Sequence, residues 1–301
     1  MIANNPAKSY SEALAQIEQL QQRDTPAWRE SKQLEALHPK CNTSLISHGK
    51  KSEKAVVLIH GLTNCPSQYS LLGKNLYDSG YNVLIPRLPE HGHADRMTKA
   101  LAKLHTDHMF SVVDKTVDAA QGLGAQVTVV GFSLGGVLAS WLTQRRSDID
   151  KSVIISPALR TTVIPAWAND VFAHFLTVWP NQFVWWDSKQ KLDVTGTPHA
   201  YPRFSTRSLA HMLKSGAIVR KMASRSKPAA QSITVVINPA DQAVDGAAIE
   251  ELVASWRAHG TVVDVYEFDP TWELIHDIID PNQPEQQTDR VYPILLDLIR
   301  N

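Results

Sequence analysis

The β-branched run Val127-Thr128-Val129-Val130 leads without a break into Gly131-Phe132-Ser133-Leu134-Gly135, and a helix-forming segment follows at once. A buried strand must therefore turn into a helix around a single serine. A turn that sharp lifts the side chain clear of the sheet, and the flanking glycines relieve the crowding it causes. A serine hydroxyl becomes a useful nucleophile only when held exposed beside a base and beside donors for an oxyanion. The pentapeptide alone arises by chance in roughly one chain in ten of this length. Its meaning rests on what the remaining residues supply.

From about residue 42 strands and helices alternate. Lys54 to Ile59 is a continuous apolar run of the kind buried on both faces of a sheet. Pro66 opens a helical segment, Gln68 to Ser79, stopped by Gly80, and Tyr81 to Pro86 is the next strand. Thr106 is placed to cap a helix over Asp107 to Gln121, which Gly122 and Gly124 break. Strands are expected at Gln126 to Val130, Ser152 to Ser156, Ile233 to Ile237 and Thr261 to Phe268. Helices are expected at Leu134 to Arg146, Ala247 to Ala258 and Thr288 to Arg300. This alternation predicts an α/β fold with a doubly wound, mostly parallel sheet.

Two stretches stand apart. Residues 1–41 carry a short amphipathic helix over about 8 to 22, with Ala13, Leu14, Ile17 and Leu20 on one side, and read as an arm on the outside of the core. Residues 157–228 interrupt the core, dividing it into 42–156 and 229–301. They hold Trp167, Trp179, Trp185 and Trp186 with Phe172, Phe175, Phe183, Tyr201 and Phe204. An aromatic, helix-rich insertion between sheet strands reads as a cap. Most of these rings are expected to form the cap's own small core, and the remainder to line an apolar pocket over Ser133.

Thirty basic and thirty acidic residues balance, which argues against nucleic acid as a partner. No apolar run reaches the about 18 residues of a membrane span. Met1 to Pro6 lacks the charged and apolar regions of a signal peptide, so the chain is expected to be cytosolic or exported with its signal removed. Its two cysteines, Cys41 and Cys65, are too few for a disulfide scaffold. They either pair, which implies an oxidising compartment, or remain two thiols.

Partners for Ser133 should converge at the carboxyl ends of the strands. Of the twelve histidines, His276 follows the last strand and is the candidate base. His259 sits at a helix end, where it suits the helix dipole. His60, beside Gly61, suits the shaping of its loop. Asp241 lies on the turn just past Ile233 to Ile237 and is the candidate acid, while Asp245 is placed to cap the following helix. Asp277 reads as a loop-stabilising carboxylate. The Leu134 N–H at the helix start and the Leu62 N–H in the loop His60 to Asn64 are the candidate oxyanion donors. His91, His93, Asp95, His105 and His108 match no closed zinc pattern; a solvated or gate-lining loop fits them better.

Together, His60-Gly61-Leu62-Thr63-Asn64, Pro86 to His93, Gly131 to Gly136, Asn238-Pro239-Ala240-Asp241 and Ile275-His276-Asp277 resemble the α/β-hydrolase superfamily. The likeness is to its capped bacterial carboxylesterases and to monoacylglycerol-lipase or lysophospholipase-like members, and it covers about residue 42 to the end. The resemblance implies a Ser133, Asp241, His276 triad, an oxyanion hole at Leu62 and Leu134, hydrolysis of a small acyl ester, and no cofactor. Many relatives have Pro-Gly-His-Gly where this chain has Pro89-Glu90-His91-Gly92. In some relatives the corresponding cysteines pair. A thioesterase, an aminopeptidase using cap acids such as Asp170, Asp187 or Asp193, and a non-catalytic binding protein of the same fold are the alternatives.

Overall fold

The computed structural model describes residues 4–162, 164–187 and 196–301. In chain order its elements are α1 (Tyr10–Gln22), α2 (Pro26–Ser31), β1 (Ser44–Ile46), β2 (Ser52–Ile59), α3 (Ser70–Asp78), β3 (Tyr81–Ile85) and α4 (Thr106–Leu123). There follow β4 (Gly124–Phe132), α5 (Leu134–Arg145), β5 (Lys151–Ile155), α6 (Asn169–Val178), β6 (Phe183–Trp185), β7 (Arg203–Ser205) and α7 (Thr206–Ala223). The chain closes with β8 (Ser232–Ile237), α8 (Gly246–Ala258), β9 (Asp264–Glu267) and α9 (Thr288–Arg300).

Seven strands form one sheet in the order β1-β3-β2-β4-β5-β8-β9. β1 is antiparallel to β3, and every other neighbouring pair is parallel. Because side chains alternate across a strand, each central strand feeds two cores. Val57 and Ile59 of β2 and Val127 and Val129 of β4 join the core shared with α4, α5, α7 and α8. Val56 and Leu58, with Val130 and Phe132, join the opposite core, closed by α3 and α9. The doubly wound, mostly parallel sheet expected from the alternation is therefore present, and its central strands are buried on both faces for the reason their unbroken apolar runs suggested.

The N-terminal segment packs as a third, smaller core, in which Ala13 and Ile17 of α1 meet Ala119 and Leu123 of α4. Three local expectations change. Gly122 does not break α4, which runs on to Leu123. Thr106 is the first residue of that helix rather than its cap, and its hydroxyl donates to the His211 carbonyl at 3.0 Å. The last strand is shorter than expected, because Thr261 to Val263 precede the ladder with β8.

Between β5 and β8 lie α6, the β6–β7 hairpin and α7. The aromatic side chains here do not gather into a core of their own. α6 buries Asn169, Ala173 and Leu176, while Trp167 is 84% exposed and Phe175 and Trp179 are 44% and 50% exposed. A single helix and a two-stranded hairpin offer too little surface to cover both faces of α6, so the face bearing the aromatics is left outside.

Candidate active site

At the end of β4 the chain places Ser133 at φ 55°, ψ −113°, a conformation that costs an L-residue of order 1–3 kcal/mol and persists only when its surroundings enforce it. Here they do. The Ser133 N–H donates to the Ile155 carbonyl at 3.0 Å, and its own carbonyl accepts from Val137 and Ala158 at 3.1 and 3.2 Å. A Cβ on Gly131 would strike the Gly135 carbonyl, and one on Gly135 would strike the carbonyl of Ile59. Both glycines are thus required by close backbone approach.

His276 lies in the loop between β9 and α9. Its Nε2 is 3.0 Å from Ser133 Oγ and its Nδ1 is 2.6 Å from Asp241 Oδ2. The second carboxylate oxygen of Asp241 accepts the Ala243 N–H at 2.8 Å, which fixes the carboxylate in the plane facing the imidazole. The His276 ring also packs against Phe132, with centroids 4.9 Å apart. Asn238 ties the two partner loops together by donating to the Leu274 and Ile275 carbonyls, each at 3.1 Å. Residues from three strand ends, up to 143 positions apart in sequence, thereby meet in one chain of hydrogen bonds.

Leu134 opens α5, where the first N–H groups of a helix lack intrahelical partners. Leu62 lies in the loop after β2, beside Thr63, whose φ of 68° is also left-handed. His60 shapes that loop: its Nδ1 is 2.9 Å from the Gly61 carbonyl, and its Nε2 accepts the Leu88 N–H at 3.1 Å. Burial, then the neighbouring His91, keep the His60 imidazole neutral, well below its ordinary pKa. Asp245 caps α8 by accepting from Ala247. Glu90, where many relatives carry glycine, has φ 64°, so the backbone keeps the left-handed turn with a side chain that strains it. His91 is held by the Pro89 carbonyl at 2.7 Å, and His105 packs on His211 with centroids 4.4 Å apart. Among the described residues no group of three or more His, Cys, Asp or Glu side chains is arranged to hold a metal ion.

A cavity of about 540 Å³ opens over Ser133 and His276. Leu62, Phe132, Val244 and Ile275 line it from the core, and Trp186, Tyr201 and Met212 from the insertion. The insertion is bonded to the loop below: the Tyr201 N–H donates to the Thr63 carbonyl at 2.8 Å and the Trp186 indole to Thr63 Oγ1 at 2.9 Å. Asp187 lines the cavity, whereas Asp170 pairs with Arg220 at 2.6 Å, and Asp193 lies outside the described residues. Cys41 and Cys65 are joined in a disulfide that closes a separation of 24 residues beside the same loop. Among the described residues no helix is long and apolar enough to cross a membrane.

The family model described as the alpha/beta hydrolase family matches residues 56–290. A thermostable monoacylglycerol lipase from Bacillus sp. (strain H-257) is 30% identical over 118 residues, covering 37% of this chain and 43% of that enzyme. Phospholipase YtpA from Bacillus subtilis (strain 168) is 28% identical over 102 residues, 34% of this chain and 39% of its own. The aligned stretches thus span less than half of each relative. Among solved structures, the monoacylglycerol lipase of Paleococcus ferrophilus superposes with a TM-score of 0.64 at 19% identity, over 85% of this chain and 97% of that one. A metagenome-derived lipolytic enzyme gives 0.67 at 18% identity, over 88% and 99%. These superpositions establish a shared fold.

Proposed function

The chain belongs to the alpha/beta hydrolase family, and from that premise we propose that it is a serine carboxylic-ester hydrolase acting through Ser133, His276 and Asp241. The observation that carries the reading is the continuous bonded chain from Asp241 Oδ2 through His276 to Ser133 Oγ. Ser133 attacks the ester carbonyl as His276 Nε2 takes its proton. The carbonyl oxygen, now negative, is held by the N–H groups of Leu62 and Leu134. His276 then protonates the departing alcohol, and a water activated by the same imidazole releases the acid from the acyl-enzyme. Asp241 holds the imidazole in the required tautomer and stabilises it when charged. Apart from the substrate and the hydrolytic water, every group in this scheme is a side chain or backbone of the protein, so it calls on no cofactor.

Residues 157–228 act in this reading as a cap, and the apolar wall supplied by Trp186, Tyr201 and Met212 suits the acyl part of a small ester. The Bacillus relatives named as lipase and phospholipase support substrates of that lipolytic kind. The Cys41–Cys65 bond favours an oxidising compartment. The test is replacement of Ser133 by alanine, which should lower kcat for a p-nitrophenyl ester by about 10⁴-fold or more while the far-ultraviolet spectrum is unchanged. Retention of most of the activity in that variant would rule out the mechanism.

A further inference from the structure

Beside Ser133 and His276, and partly lining the same cavity, is a set of polar side chains to which the scheme above gives no task. Asp277 Oδ2 accepts three primary amides: Gln68 Nε2 at 2.9 Å, Gln283 Nε2 at 3.0 Å and Asn64 Nδ2 at 3.2 Å. Its Oδ1 accepts the N–H groups of Ile279 and Asp280 at 3.2 and 3.1 Å. Asp280, fully buried, accepts Asn64 Nδ2 at 3.1 Å and stands 2.8 Å from His199 Nε2. Burial opposes the Asp280 charge, but the hydrogen bond and charge of His199 outweigh it and hold its pKa low. Burial and then the Asp280 charge push Asp277 upward.

A carboxylate has no hydrogen to give, so it decides which end of each amide faces it. With its nitrogen on Asp277, Gln68 must turn its oxygen outward, and that oxygen accepts the Gly61 N–H at 2.9 Å. Asn64 is oriented the same way, and its oxygen accepts the Cys65 N–H at 2.8 Å. These two bonds clamp the loop on either side of Leu62. Between them Thr63 keeps its left-handed φ of 68°, which a β-branched residue adopts only when it is held there.

We propose that Asp277, acting through Gln68 and Asn64, is a positioning residue that holds the Leu62 N–H where it can serve as an oxyanion donor. The proposal rests on the ester-hydrolase reading. It gives the residue next to the base a second part of the machinery to place: His276 faces the nucleophile while its neighbour fixes the loop opposite. A donor displaced by about 1 Å fails chiefly in the transition state, so the loss falls on kcat rather than on KM.

The experiment measures kcat and KM of the full chain on a short, soluble p-nitrophenyl ester for wild type, Asp277→Asn, Gln68→Leu and the double variant. Circular dichroism monitors folding. Each single variant should lose roughly 10- to 100-fold in kcat with KM within about threefold. Affinity for a trifluoromethyl ketone, whose serine adduct carries the oxyanion, should fall by a similar factor. The double variant should be no more than about threefold worse than the poorer single, because both break one chain of bonds. Should Asp277→Asn fail to fold, Gln68→Leu carries the same expectation alone. Unchanged kcat in the folded variants, or a loss of kcat with ketone affinity intact, overturns the proposal. Wild-type protein that neither hydrolyses the ester nor reacts with a fluorophosphonate would instead remove the ester-hydrolase reading, and this inference with it.

Discussion

The strand-end loops that carry Ser133, Asp241 and His276 and the insertion that covers them are built on opposite terms. In the loops nearly every polar group has an assigned partner: Asn238 spans two loops, Asp277 gathers three amides, and the Ser133 backbone is bonded on both sides. In the insertion, α6 turns Val171, Phe175 and Val178 outward, and Trp167 and Trp179 at its two ends are exposed as well, with Trp167 and Val171 at 84% and 71% exposure. In the proposed ester-hydrolase reading the contrast separates two duties. Reaction geometry tolerates displacements well under 1 Å and needs a rigid scaffold behind it. A pocket wall only has to be apolar and of suitable volume, so the segment that supplies it is free to be less tightly determined.

The harshest way to break this contrast is Gly135→Ala. The added Cβ meets the Ile59 carbonyl inside the sheet, so it should cost about 3 kcal/mol, near the upper end for overpacking. Chemical denaturation would show this as a fall in midpoint at unchanged slope. A loss under about 0.5 kcal/mol would mean that the elbow relaxes more readily than its packing implies.

Acid should weaken both regions together. Burial lowers His91, in the neighbouring strand-end loop after β3, to about 3 and His211, on α7, to about 4; the ordinary value is near 6.5. Both are neutral in the fold, so below pH 6.5 the unfolded chain binds protons that the folded one does not. Stability that is complete above pH 6.5 is then lost toward pH 4, with a slope of up to about 1.4 kcal/mol per pH unit for each histidine. Denaturation at pH 6.5 and pH 5 should show this fall, and His211→Gln should remove its own share. Equal pH dependence in that variant and the wild type would show that His211 is accessible to protons in the fold.

The smallest effects sharpen the contrast within the insertion. Trp186→Ala removes a cavity wall and the bond to Thr63, and should raise KM for longer acyl esters about tenfold, equivalent to about 1.4 kcal/mol. Trp167→Ala should leave stability within about 0.5 kcal/mol and leave kinetics on soluble esters unaltered. A rate profile over p-nitrophenyl esters of increasing acyl length reads both. If Trp167→Ala shifted that profile as much as Trp186→Ala, the exposed face would have to belong to the substrate path.

What could be read before folding was what depends on order along the chain. Strands alternating with helices dictate a parallel sheet, and a parallel sheet gathers strand-end loops at one edge. The positions of Ser133, Asp241 and His276 just after strands therefore predict that they meet at that edge, and they do. The roles of Asn64, Gln68, Asn238 and Asp280 are not legible in the same way, because an amide or carboxylate in a loop carries no periodic signal and its partner is chosen only in three dimensions. Asn64 and Asp280 are 216 positions apart. The aromatics of the insertion depart from expectation for a related reason: apolar residues at helical spacing mark a face, but not whether anything covers it.

By itself, then, the sequence determined the layered α/β fold and the register that brings a serine, a histidine and an aspartate to one edge, since local propensity and hydrophobic period act over a few residues. Tertiary structure alone decided that Cys41 meets Cys65, that Asp277 turns Gln68 toward Gly61, and that the aromatic face of α6 stays outside. Each of these depends on the distance and orientation between segments, which no short stretch of chain encodes.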